Sequence, residues 1–201
     1  MNNMIKIAVL VSGGGTNLQA LIDAWKSGSI EGGEISIVIS SVEGAYALER
    51  AKNAGIKTIT IERKKYVDVS LFDQAVADAL CDNSIDLVVL AGFLSVVGQK
   101  VLKSFEDKII NVHPALIPSF SGKGYYGIKV HKAVLEKGVK ITGATVHFVN
   151  DVVDGGKIIL QKAVDVLPDD TPETLQKRVM REAEWTLLPK AVAMYCKGEI
   201  K

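Results

Sequence analysis

The sequence predicts an α/β fold with a mostly parallel sheet and helices on both faces, and three observations carry that expectation. Through the first half of the chain, apolar runs of strand length alternate with segments of helical periodicity. Runs such as Asp86-Leu87-Val88-Val89-Leu90-Ala91-Gly92 are apolar on consecutive positions, as strands covered from two sides must be. In the second half two β-rich runs flank Asp154-Gly155-Gly156, a β-hairpin-like addition, and one long C-terminal helix follows. The arrangement is Rossmann-like, and ligands of such sheets bind outside the carboxyl ends of the strands.

Each element has its own signal. Residues 5–11 form an apolar first strand, and Thr16-Asn17-Leu18-Gln19 has the spacing of a capping box. Leu18, Leu21, Ile22 and Trp25 then share one helical face, with Gly28 as the stop. Glu34 to Ser40 alternates as a second strand, Ala45 to Asn53 reads as a helix closed by Gly55, and Lys57 to Ile61 as a third strand. A helix from about Ser70 to Cys81 places Phe72, Val76 and Leu80 on one face. The Asp86–Gly92 strand follows, then a short helix near Val96–Phe105 and a strand ending at His113. Ala144 to Asn150 and Lys157 to Val166 are the paired β runs. The last helix spans roughly Pro172 to Lys197, with Thr171 as N-cap and Pro172 at its first position.

Bulk properties narrow the function classes. The 201 residues suit one domain, expected over 1–201, with a phosphate-binding half to about residue 100 and a catalytic half beyond it. Hydrophobic residues make up 48% and the net charge is +1 without a basic run, so neither disorder nor nucleic-acid binding is expected. Two cysteines, Cys81 and Cys196, without a Cys-x-x-Cys pair suit a reducing cytoplasm. The apolar start at Ile5–Val11 leads into a glycine turn and reads as a strand rather than a secretory signal. No segment reaches the roughly 20 apolar residues of a membrane span, so a soluble, cytoplasmic protein is expected.

Two groups of residues carry chemistry. Ser12-Gly13-Gly14-Gly15-Thr16-Asn17 joins the first strand to the first helix, where free N–H groups and the helix dipole bind anions. Position 18 is Leu and Ser40-Ser41 ends the second strand, so the loop matches neither dinucleotide nor nucleoside-triphosphate fingerprints. A single phosphate monoester fits better than a nicotinamide cofactor. Asn111 and His113, two apart on a strand, point to one side. An amide donates to a developing oxyanion, an imidazole carries a proton near neutrality, and a carboxylate on the Asp154-Gly155-Gly156 turn favours the imidazolium. Together they are the parts for attack of an amine on an acyl carbon. His147 alternates away from Val146 and Phe148 and reads as a partly buried strand residue with a supporting role open to it; His131 reads as a surface or structural histidine. Three histidines without paired ligand spacing argue against a metal site.

Five segments in order resemble one family. They are the Ser12–Gln19 loop, Ala91-Gly92-Phe93-Leu94, Asn111-Val112-His113-Pro114-Ala115-Leu116-Ile117-Pro118, Val146-His147-Phe148-Val149 and Asp154-Gly155-Gly156. The chain is similar to the phosphoribosylglycinamide formyltransferases from about residue 5 to 190. The resemblance implies transfer of the formyl group of 10-formyltetrahydrofolate, a co-substrate, to the amine of 5-phosphoribosylglycinamide in purine biosynthesis, without metal or nicotinamide. It implies that Asn111 holds the formyl oxygen, that His113 is the general acid, and that Asp154 raises the His113 pKa and relays protons. Gly15, Thr16 and Asn17 would hold the phosphate and Glu184 the ribose hydroxyls. Leu94, Ser95, Val96 and Val97, with Asn111, Asn150 and Asp151, would line the folate pocket.

The chain also departs from some relatives. Ser95 stands where some carry Arg, and no Arg near Val69 matches the one that meets the folate tail. Ser119–Lys129 is a longer Gly/Tyr loop, expected to act as a flexible cover. Formyltetrahydrofolate deformylase and methionyl-tRNA formyltransferase share the Asn-x-His and Asp pattern but add domains for which this chain leaves no room. A non-catalytic nucleotide- or folate-binding module is the alternative from another class. A monomer or homodimer with small-molecule substrates, and no nucleic-acid or membrane partner, is expected.

Overall fold

A computed structural model describes residues 4–201. The strands are β1 (Ile5–Val11), β2 (Gly33–Ser40), β3 (Lys57–Thr60), β4 (Leu87–Leu90), β5 (Ile109–His113), β6 (Ile141–Phe148) and β7 (Ile158–Asp165). They form one seven-stranded sheet in the order β3-β2-β1-β4-β5-β6-β7. β3 through β5 are parallel to their neighbours, whereas β6 runs antiparallel to β5 and β7 antiparallel to β6. The hairpin-like addition is therefore the antiparallel extension of a parallel sheet, with β6 starting three residues earlier than its β-rich run suggested.

The helices are α1 (Thr16–Lys26), α2 (Tyr46–Asn53), α3 (Val69–Asp82), α4 (Gln99–Ser104), α5 (Ile128–Lys137), α6 (Pro172–Val179) and α7 (Trp185–Cys196). Alternate residues of β1 feed two cores. Ile7, Val9 and Val11 pack with Leu18, Leu21 and Ile22 of α1 and Leu188, Ala191 and Val192 of α7. Ala8 and Leu10 pack with Phe72, Val76 and Leu80 of α3 and Val101 of α4. All four residues of β4 are buried, which explains why its sequence shows no alternation.

Two helix ends depart from expectation. The capping box at Thr16 does not form: Gly15, at φ 71°, is the N-cap, and Thr16 is already helical. The Gln19 side chain instead donates to Asp23 at 2.8 Å and accepts from Arg50 at 3.0 Å. At the other end of the chain Thr171 does cap α6, its hydroxyl accepting from the Thr174 N–H. The long terminal helix is interrupted by a π-helical turn at Met180–Glu184 before α7. The wider turn leaves both Ala183 and Glu184 buried.

Because β1, β4 and β5 are parallel, the loops Gly13–Asn17, Gly92–Val97 and His113–Tyr126 leave the sheet at the same edge. The sheet order reverses between β1 and β4, the position where such folds place ligands. A hydrogen bond from the Leu94 N–H to Ser12 Oγ, 2.9 Å, ties the first two loops together.

Candidate active site

The β5–β6 register builds the centre of the site. Asn111 pairs with His147 and His113 with Thr145 across two antiparallel strands. Side chains of cross-strand partners lie on one face, so the amide and two imidazoles converge. Asn111 Nδ2 lies 3.2 Å from His147 Nε2. Asp154 completes the cluster, with Oδ2 at 3.5 Å from His113 Nδ1 and Oδ1 at 3.7 Å from His147 Nε2. His113 is 3% exposed and His147 1%. The His147 position, read from sequence as a strand residue with an optional supporting role, is an integral member of the cluster.

Hydrogen bonds orient both rings. His147 Nδ1 donates to the Phe148 carbonyl at 2.7 Å, which turns Nε2 toward the Asn111 amide. His113 Nε2 donates to the Phe120 carbonyl at 2.8 Å, leaving Nδ1 toward Asp154. The Gly122 N–H donates to Asp154 Oδ2 at 2.8 Å. Residues 120–122 thus grip imidazole and carboxylate at once, and nothing in the sequence of that loop pointed to it. Phe120 and Asp154 both adopt positive φ, 51° and 56°, a strained conformation that tertiary contacts must hold in place. Gly156 is required for the turn, because a Cβ there would run into the Phe148 carbonyl.

Opposing electrostatic effects meet at His113. Burial lowers the His113 pKa below its ordinary 6.5, and it outweighs the raising effects of the Asp154 charge and the Phe120 carbonyl. The charge of Asp154 acts in the expected direction, against the larger effect of burial. Burial pushes the Asp154 carboxyl up, but hydrogen bonds from His147 and Gly122 and the nearby imidazole charges hold it below its ordinary value. His131 is not on the surface: it is 0% exposed on α5, neither ring nitrogen has a partner, and burial lowers its pKa to about 4.

The glycine loop is held from behind by α2. The Ala47 N–H donates to the Gly13 carbonyl and Arg50 Nε to the Gly14 carbonyl, at 3.0 and 2.9 Å. Across a planar peptide the next N–H points the opposite way, so the Gly14 and Gly15 N–H groups point away from α2. Gly13 and Gly14 are exposed, and α1 starts directly after Gly15, the geometry of an anion site. The Asn17 side chain is engaged elsewhere: its Nδ2 donates to Glu184 Oε2 at 2.6 Å. Glu184 is 4% exposed, and burial raises its pKa to about 7 against the opposing pull of Asn17. Asn17 Oδ1 and Glu184 Oε1 remain buried without a donor.

Of the remaining candidates, Leu94 and Val96 are exposed and Ser95 and Val97 half-buried, in an irregular segment between β4 and α4. Asn150 and Asp151 are exposed, and Asn150 Oδ1 accepts from the Val152 N–H at 3.0 Å. A cleft of about 310 Å³ opens where Leu94 and Ser95 meet Ser12, Ser41, Arg63 and Lys64. Among the described residues, no group of three or more His, Cys, Asp or Glu side chains is placed to hold a metal ion.

Comparison with known proteins gives the family. The formyl transferase family model matches residues 5–192. The chain belongs to the formyl transferase family. Phosphoribosylglycinamide formyltransferase of Haemophilus influenzae is 40% identical over 198 residues, covering 98% of this chain and 90% of that protein. The trifunctional purine biosynthetic protein adenosine-3 of Gallus gallus is 44% identical over 199 residues, 99% of this chain but 19% of that protein. The chain thus spans about a fifth of that relative. The crystal structure of glycinamide ribonucleotide transformylase 1 from Symbiobacterium toebii superposes with a TM-score of 0.92 at 42% identity, covering 98% of this chain and 90% of that one. The shared fold accounts for the mostly parallel sheet.

Proposed function

We propose that the chain transfers the formyl group of 10-formyltetrahydrofolate to the amine of 5-phosphoribosylglycinamide, in de novo purine biosynthesis. The observation that carries this reading is the contact cluster of Asn111, His113, His147 and Asp154 in a family whose named relatives are formyltransferases.

The substrate amine attacks the formyl carbon, its carbon–nitrogen bond forms as the bond to folate N10 breaks, and one proton moves from the amine to N10. Asn111 donates an amide N–H to the oxyanion; a donor so placed contributes roughly 3 kcal/mol. His147 Nε2, 3.2 Å from the Asn111 amide nitrogen, aims the group. The proton leaving the amine reaches His113 Nδ1 by way of Asp154, and the resulting imidazolium gives folate N10 the Nε2–H now held by Phe120, which segment 119–129 must release, so that the ring ends neutral. The new negative charge beside a buried imidazole raises its proton affinity as the intermediate forms. Asp154 stabilises the imidazolium through Nδ1 and relays the proton leaving the amine.

The backbone N–H groups of Gly15, Thr16 and Asn17 bind the phosphate. The Glu184–Asn17 pair receives the ribose hydroxyls, whose O–H donors satisfy the two orphan oxygens. Leu94, Ser95, Val96, Val97, Asn150 and Asp151 line the folate pocket. The protein works as one domain in the cytoplasm, as a monomer or homodimer; no helix of the described residues is long and apolar enough to cross a membrane. Amine-dependent loss of the formyl group from the folate tests the reading. Loss without the amine would instead make the chain a deformylase.

A further inference from the structure

The segment Leu94–Val97 has no regular structure, yet a pocket wall must keep one shape. Its two ends are pinned by buried side chains. At the front, Ser12 Oγ accepts the Leu94 N–H at 2.9 Å. At the rear, Asp73 of α3, 4% exposed, accepts the Gly98 N–H at 2.8 Å with Oδ1 and the Lys100 N–H at 2.7 Å with Oδ2. Both carboxylate oxygens are spent on the backbone that follows the segment, and Phe93 stacks on Phe72, the neighbour of Asp73, with ring centroids 6.5 Å apart. The fit is close: a Cβ on Gly98 would stand 2.5 Å from the Asp73 carboxyl carbon. Gly98 is extended, at φ −95°, so its lack of a side chain serves this approach and not its own conformation.

We infer that Asp73 is a positioning residue for the folate: by holding Gly98 and Lys100 it sets where the Leu94–Val97 backbone meets the pteridine. The inference rests on the proposed folate role of that segment. Asp73 lies on α3, between the sheet's far face and α4, and belongs to neither the glycine loop nor the Asn111–Asp154 cluster. Its loss therefore weakens one substrate and spares the other.

The test measures binding of a non-transferable folate analogue and, separately, of phosphoribosylglycinamide, to the wild type, Asp73→Ala and Gly98→Ala. Gly98→Ala keeps the Asp73 carboxylate in the chain but drives a methyl against it, which displaces the segment from the opposite side, and serves where Asp73→Ala fails to fold. The expected result is a loss of roughly tenfold in folate affinity in either folded variant, with phosphoribosylglycinamide affinity within about twofold of wild type. Unchanged folate affinity overturns the inference. So does equal weakening of both ligands, the mark of a merely structural carboxylate. Failure of the wild type to bind any folate would refute the proposed function itself.

Discussion

Glu184→Gln should make the protein more stable at alkaline pH while weakening its grip on the substrate ribose. Glu184 is completely enclosed beside Asn17, and burial carries its pKa from an ordinary 4.5 to about 7. A carboxyl whose folded pKa is raised favours folding while both states are protonated. As pH climbs from 4.5 to 7 the unfolded chain releases the proton and the folded one keeps it, so stability falls across that window and stays low above it. At roughly 1.4 kcal/mol per pH unit, the displacement amounts to about 3 kcal/mol lost by pH 8. Glutamine keeps the shape and an acceptor for the Asn17 amide but never ionises. Urea unfolding of both proteins at pH 4.5 and pH 8 reads the difference. The variant should match the wild type within about 1 kcal/mol at pH 4.5 and exceed it by about 3 kcal/mol at pH 8, the full linkage value for one buried group. Phosphoribosylglycinamide affinity should fall roughly tenfold, as for one lost hydrogen bond to a charged acceptor. A stability difference that does not change between the two pH values would refute the reasoning.

Three further perturbations address the cluster and the loop. Asp154→Asn should lower kcat by roughly a hundredfold or more with little change in either KM, because the carboxylate acts on the transition state; full turnover would remove it from the mechanism. In the wild type, NMR titration should place the His113 midpoint below 6.5, and Asp154→Asn should move it lower still, since the raising charge is gone; an upward movement would contradict that. Gly15→Val should cost about 1–3 kcal/mol of stability and abolish phosphate binding, because φ 71° strains any β-branched residue and a Cβ would stand 2.6 Å from that of Ala47. Phosphate protection in a thermal melt checks this, and a variant protected as well as the wild type would sink it.

Features coded by local periodicity were legible in the sequence. β1 and β4 announce themselves by apolar runs, β2 by alternation, and Asn111 and His113 by a two-residue spacing that only a strand turns into one face. Asp154 was legible through the glycines that follow it. What depends on pairing between distant segments was not. The weight of His147 follows from its register with Asn111, 36 residues away. The grip of Phe120 and Gly122 on His113 and Asp154 uses backbone groups, which carry no residue identity to read. For His131, in a run shared with Lys132, the sequence left a surface and a structural place both open, and α5 turns it fully inward. The direction of the His113 shift needed the burial of the site, a quantity no spacing reports. The π-helical turn before α7 likewise leaves no mark in a pattern read for a period of 3.6.

The central claim is that Asn111, His113 and Asp154 move a formyl group from a folate to an amine. Its most direct test follows 10-formyltetrahydrofolate spectrophotometrically with and without phosphoribosylglycinamide. The account predicts an absorbance change that requires the amine, produces one N-formyl product per folate consumed, and vanishes in His113→Ala. An equal change without the amine, or none with both substrates bound, would contradict it.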